Sequence, residues 1–138
     1  MNAKDLILGQ FDTMRKQLEA VLDGFPEDAV GRRFPTISLA PIEAVEHLCD
    51  AYSGYLANDR RNYRWGSYRL LSSDWESALK ELWSVRGQAR EAVQNSNDDA
   101  FIALAFDYVM AHDAYHVGQL AACRMACDPK WDPESLYK

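Results

Sequence analysis

The chain holds three histidines, His47, His112 and His116, and two of them stand four apart in His112-Asp-Ala-Tyr-His116. On a helix, an i, i+4 pair lies on one face, one turn apart. Ile102, Ala105, Phe106, Val109, Leu120, Cys123 and Cys127 define the apolar arc of that helix, and at ~100° per residue both histidines fall inside it. Imidazoles aimed into a bundle need partners for their polar nitrogens. A neutral ring nitrogen is also a ready metal ligand near neutral pH. His47 sits at the edge of another apolar arc, beside Ala44, Leu48 and Ala51, from which it can reach a neighbouring helix. If it meets the pair, the three form a facial set suited to Zn²⁺, Ni²⁺ or Fe²⁺, with a position left open for water or substrate. Spacing alone leaves the alternative standing, histidines that only make hydrogen bonds.

The residues around them are read the same way. Glu43 and Asp50 flank His47 on its own helix and either orient its imidazole, act as a base, or face solvent as plain carboxylates. Asp113 points ~100° away from His112 and serves either a hydrogen bond of the fold or the metal. Cys123 lies seven residues past His116, about 10 Å along the helix, too far to share an ion with both histidines. Cys49, Cys123 and Cys127 have no CxxC spacing and are expected as reduced core thiols. A zinc-peptidase reading of the pair, with Glu134 as third ligand, fails. Asp113 is a methylene shorter than the glutamate such a helix needs, and no strand is available to align a peptide.

Four helical patterns must carry these side chains. The first runs from Ala3 to Asp23, opened by Asn2 and Asp5 and stopped by Gly24 and Pro26. Its seam, Ile7, Phe11, Met14, Leu18 and Val21, alternates steps of four and three. The second begins between Ser38 and Pro41 with Ile42, Val45, Cys49, Tyr52 and Leu56 as its seam. Residues 58–72 form a polar and aromatic connection. Ser73-Asp-Trp-Glu76 reads as a capping box for the third helix, which carries Trp75, Leu79, Leu82, Val85 or Arg86, Ala89 and Val93. Asp98 or Asp99 caps the fourth, which extends to about Ala126 and is expected as an antiparallel neighbour of the third. No stretch shows sustained strand alternation. The expectation is an all-α chain, one four-helix bundle domain over residues 1–138. Gly118, Ala121 and Ala122 suit close helix packing, within the bundle or across a dimer.

A length of 138 residues suits one domain, and 48% apolar with 26% charged residues is the composition of a folded one. A net charge of −6 argues against nucleic-acid and anionic-membrane partners, so Arg60, Arg61 and Arg64 read as solvated surface. No apolar run approaches the ~20 residues of a membrane span. The unpaired cysteines and the absence of a signal-peptide layout point to the cytoplasm.

His112-Asp-Ala-Tyr-His-Val-Gly-Gln-Leu120 resembles the last-helix motif of the DinB/YfiT-like metalloenzymes, a family unrelated to the polymerase that shares the first name. Ala44-Val-Glu-His47-Leu resembles the same family's second-helix histidine. The resemblance covers about residues 3–127 and leaves the tail from Trp131 to Tyr137 outside. It implies up-down-down-up topology and one divalent ion per chain, nickel or zinc, on His47, His112 and His116. It also implies a homodimer. Relatives of known activity use small thiols in S-transfer or isomerisation. The expected function is therefore a metal-dependent enzyme of the thiol-transferase type acting on a small molecule such as a low-molecular-weight thiol. The alternative is a bundle that binds a metal or small ligand without catalysis.

Overall fold

Each helix begins where a side chain can satisfy its free amides. In the computed structural model, which describes residues 1–35 and 37–138, α1 (Ala3–Leu22) opens with the expected box. Asn2 Oδ1 accepts from the Asp5 amide at 2.9 Å and Asp5 accepts from the Asn2 amide at 3.3 Å. At α2 (Pro41–Leu56) proline occupies the first turn and Glu43 accepts from the Ala40 amide. At α3 (Trp75–Asn95) the cap falls one residue later than the box predicts. Asp74, not Ser73, takes the Ser77 amide at 3.0 Å. Asp98 caps α4 (Asp99–Ala105) by accepting from the amides of Ala100 and Phe101. No strand occurs among the described residues, and no helix there is long and apolar enough to cross a membrane.

The fourth helix is not a uniform rod. After α4 it passes through a π-helical segment (Phe106–Ala111) before α5 (His112–Cys127) completes it. A π turn holds an extra residue, so everything beyond it is rotated from where a pure α-helix would carry it. Two expectations change. Phe106, placed on the apolar arc, is largely exposed at the start of this segment, and His112, beyond it and placed inside the arc, is only half-buried. The core-facing place at that level goes to Asp113, which has no exposed surface.

Four helices pack around one core that includes Phe11, Leu18, Tyr52, Leu82 and Leu120. Along α1 and α3, Lys4 meets Gln94, Phe11 meets Arg86 and Arg15 stacks on Trp83, so the numbers rise on one helix as they fall on the other. Between α2 and the fourth helix, Tyr55 reaches the Phe101 carbonyl and Tyr52 reaches Asp113, again in opposite senses. The third and fourth helices, joined by a short turn, lie across the bundle from each other rather than side by side. Both pack instead against α1 and α2.

Their bridge across that diagonal is ionic. Arg86 donates to Asp113 Oδ2 from Nε and Nη2, each at 3.1 Å, and from Nη2 to the Phe11 carbonyl at 2.7 Å. The Tyr52 hydroxyl donates to the other carboxylate oxygen. One buried network therefore touches all four helices directly behind His112. It settles the use of Asp113, which is a hydrogen bond of the fold. Burial pushes its carboxyl up to about 6, with the Arg86 guanidinium and the Tyr52 hydroxyl pulling the other way.

The tail folds back on α1. Arg124 donates to the Val21 and Asp23 carbonyls at 2.9 and 2.7 Å, and the Trp131 indole donates to the Ala20 carbonyl at 3.1 Å. The last turn of α1 carries no basic residue of its own, so α5 supplies the cation its free carbonyls favour.

Candidate metal centre

α2 and α5 bring the three histidines together. His112 Nε2 lies 3.0 Å from His47 Nε2 and 3.2 Å from His116 Nε2, and the three ligand atoms fall within 4.8 Å of one another. The rings meet edge-on, their centroids 4.5 to 5.0 Å apart. His116 is buried, His112 half-buried and His47 exposed, so the cluster opens outward from the core.

Protons cannot satisfy this arrangement well. A ring nitrogen carries either one hydrogen or one lone pair, so His112 Nε2 cannot make two separate hydrogen bonds to its two neighbours. One cation accepting a lone pair from each ring would satisfy all three. Two imidazole nitrogens bound to one first-row ion at ~2.0–2.1 Å stand roughly 3.0–3.4 Å apart, which covers both close separations. The protonation preferences agree. Burial first, then His47, lowers His112 to about 4. Burial, then His112 and His47, lowers His116 to about 3, with Gln119 opposing. Both rings are therefore neutral near pH 7, the form that ligates.

The flanking carboxylates do other work. Glu43 pairs with Arg33 at 2.8 Å besides its capping bond. Asp50 is buried and accepts from the Tyr63 hydroxyl and from the amides of Gly66 and Tyr68, at 2.8 to 3.1 Å. It pins the connection after α2 and has no bond to His47. Glu46 and Glu81 hold the same connection through the amides of Leu70 and Leu71. The cysteines stay out of the cluster: burial pushes Cys49 up to about 12 and Cys123 to about 11. Glu134 sits exposed in the tail. Gly118 faces open space, which removes close packing inside the bundle as its use.

A cavity of about 310 Å³ lies against His47 and His112, walled by Ala51, Asp50, Trp65, Asp107 and Tyr108. Trp65 and Tyr108 pack at 5.6 Å between centroids, and Trp65 meets Tyr63 at 4.9 Å. The sequence patterns above single out none of Trp65, Asp107 and Tyr108. The signal for Tyr108 was its i, i+4 relation to His112. For Trp65 there was none, because it reaches the site only through the pinned connection. Gly54 makes the room. A Cβ there would lie 2.3 and 2.5 Å from two ring atoms of Trp65. Gly54→Ala is expected to expel the indole from the cavity wall and to cost ~1–3 kcal/mol as overpacking does. The Trp65 indole resonance in a ¹H–¹⁵N spectrum reads the displacement directly, and an unmoved resonance would refute it.

Comparison of the chain with models of known families, with curated proteins and with solved structures finds no match. The three-histidine cluster is therefore read from its own geometry.

Proposed function

We propose that this protein is a metal-dependent enzyme that acts on small molecules at a divalent ion held by His47, His112 and His116. The observation that carries the reading is the convergence of three Nε2 atoms beside an aromatic cavity that His47 and His112 line. An ion bound there would act as a Lewis acid, lowering the pKa of a coordinated thiol or water. The chain's own residues would do the rest. Trp65 and Tyr108 offer flat apolar walls to a guest, and the buried side of the cluster excludes water behind His116. No lysine or arginine is among the residues lining the cavity, which favours neutral guests over anionic ones.

The finer parts of the proposal rest on the resemblance of His112–Leu120 and Ala44–Leu48 to the DinB/YfiT-like motifs. They are nickel or zinc as the ion, a low-molecular-weight thiol as substrate or co-substrate, S-transfer as the reaction, a homodimer and a cytoplasmic setting. Up-down-down-up order belongs with them, and the senses in which α1 pairs with α3, and α2 with the fourth helix, support it. Gly118 and Ala122, both exposed on α5, suit a dimer contact.

The test is metal content by mass spectrometry on protein purified without chelator, beside His116→Ala. About one nickel, zinc or iron ion per chain is expected, absent from the variant. No metal in either after reconstitution would overturn the proposal. Metal-loaded protein is then assayed with a panel of thiols and electrophiles. Rates equal to the blank throughout would leave a metal-binding bundle without catalysis.

A further inference from the structure

Two of the buried polar atoms without a hydrogen-bond partner among the described residues are His116 Nδ1 and Gln119 Oε1. They are chemically complementary. An imidazole Nδ1 can carry a proton, and an amide oxygen can only accept one. They also sit three residues apart on α5, a spacing that puts side chains side by side, and long helical side chains lean back toward the preceding turn. The other end of the Gln119 amide is already committed, because Nε2 donates to the Tyr115 hydroxyl at 3.2 Å. Tyr115 in turn packs its ring edge-on against His116, 5.2 Å between centroids. Leaving two such atoms unpaired costs ~1–3 kcal/mol each, and one bond between them removes both penalties.

We propose that Gln119 is a positioning residue for His116: its Oε1 takes the Nδ1 proton and so keeps the Nε2 lone pair turned toward His112 and His47. Tyr115 holds the amide in that orientation. A neutral imidazole carries its proton on either nitrogen, and a proton on Nε2 would occupy the place where a cation must bind. A bond to Gln119, made by bringing these two unpaired atoms together, removes that competing tautomer before any ion arrives. The consequence for affinity rests on the metal-centre reading, whereas the tautomer itself does not.

Long-range ¹H–¹⁵N correlation of the histidine rings, recorded on metal-free protein at about pH 8, where histidine is neutral, reports which nitrogen is protonated. The wild type is expected to show His116 with a protonated Nδ1 and a bare Nε2. Gln119→Leu is expected to lose that preference, and Gln119→Glu, which keeps an acceptor, to retain it. Titration with Zn²⁺ against a chromophoric chelator should show Gln119→Leu weakened ~10–100-fold, with Gln119→Glu close to wild type. A wild-type His116 protonated on Nε2, or a tautomer unchanged in Gln119→Leu, overturns the proposal. Zn²⁺ binding to none of the three proteins, with the tautomer pattern as expected, would overturn the metal-centre reading and leave the role of Gln119 standing.

Discussion

Asp113→Ala is expected to destabilise the fold by ~3–5 kcal/mol, because it strands a guanidinium that is 3% exposed in the centre of the bundle. In a chain of this length that corresponds to a fall in melting temperature of roughly 10–20 °C. Arg86 would keep only its bond to the Phe11 carbonyl, and arginine cannot shed its proton to escape the penalty. Arg86→Met should cost less. Burial already holds the Asp113 carboxyl up at about 6, and without the guanidinium it can take a proton and remain as a neutral partner of Tyr52. The double replacement should cost less than the sum of the two, since no charge is left unpaired. Urea unfolding of the four proteins gives the cycle, read from midpoints at constant slope. A loss below ~1 kcal/mol for Asp113→Ala would mean that water reaches the pair, and that the network is not the tie between helices described above.

Half of that network was legible in the sequence: the seam of the third helix reads Leu79, Leu82, Val85 or Arg86, Ala89 and Val93, and an arginine on a seam demands an opposite charge. Its partner was not, since the arc of the fourth helix placed His112 in the core and Asp113 ~100° away from it. Helix extents, the caps at Asn2 and Asp98 and the i, i+4 histidine pair were all open to reading, because each depends on neighbours within one turn. His47 joining the pair depends on how α2 lies against α5, which no spacing states. The π segment has no signature in Phe106-Asp-Tyr-Val-Met-Ala111, and it decides that Asp113 faces the core while His112 takes the flank. Asp50 shows the same limit. Its place beside His47 suggested a role at the ring, whereas its bonds run to Tyr63, Gly66 and Tyr68 on a connection without periodicity.

Acidification of the metal-free protein should reduce its stability from about pH 6.5, the ordinary histidine value, down to about pH 4 and below. His112 and His116 are held neutral in the fold, at about 4 and about 3, whereas the unfolded chain takes protons on both near 6.5. Between those limits the unfolded state binds more protons, so the unfolding free energy rises with pH and reaches its full value above 6.5. Asp113 contributes with the opposite sign. Its carboxyl is raised to about 6, so the folded state binds the extra proton between about 3.8 and 6 and offsets part of the loss in that window. The two effects separate by mutation. His112→Gln/His116→Gln should flatten the acid limb and leave the Asp113 contribution, which falls as pH rises through 6, easier to read. An ion on the three Nε2 atoms competes with the same protons. At neutral pH a divalent ion at a thousandfold excess over its Kd should add about 4 kcal/mol, and that gain should vanish as the pH falls, because ligand nitrogens must be bare. Melting curves across this range, with and without Zn²⁺, read both trends. A Zn²⁺ increment of unchanged size in His112→Gln/His116→Gln would place the ion on other groups than these histidines.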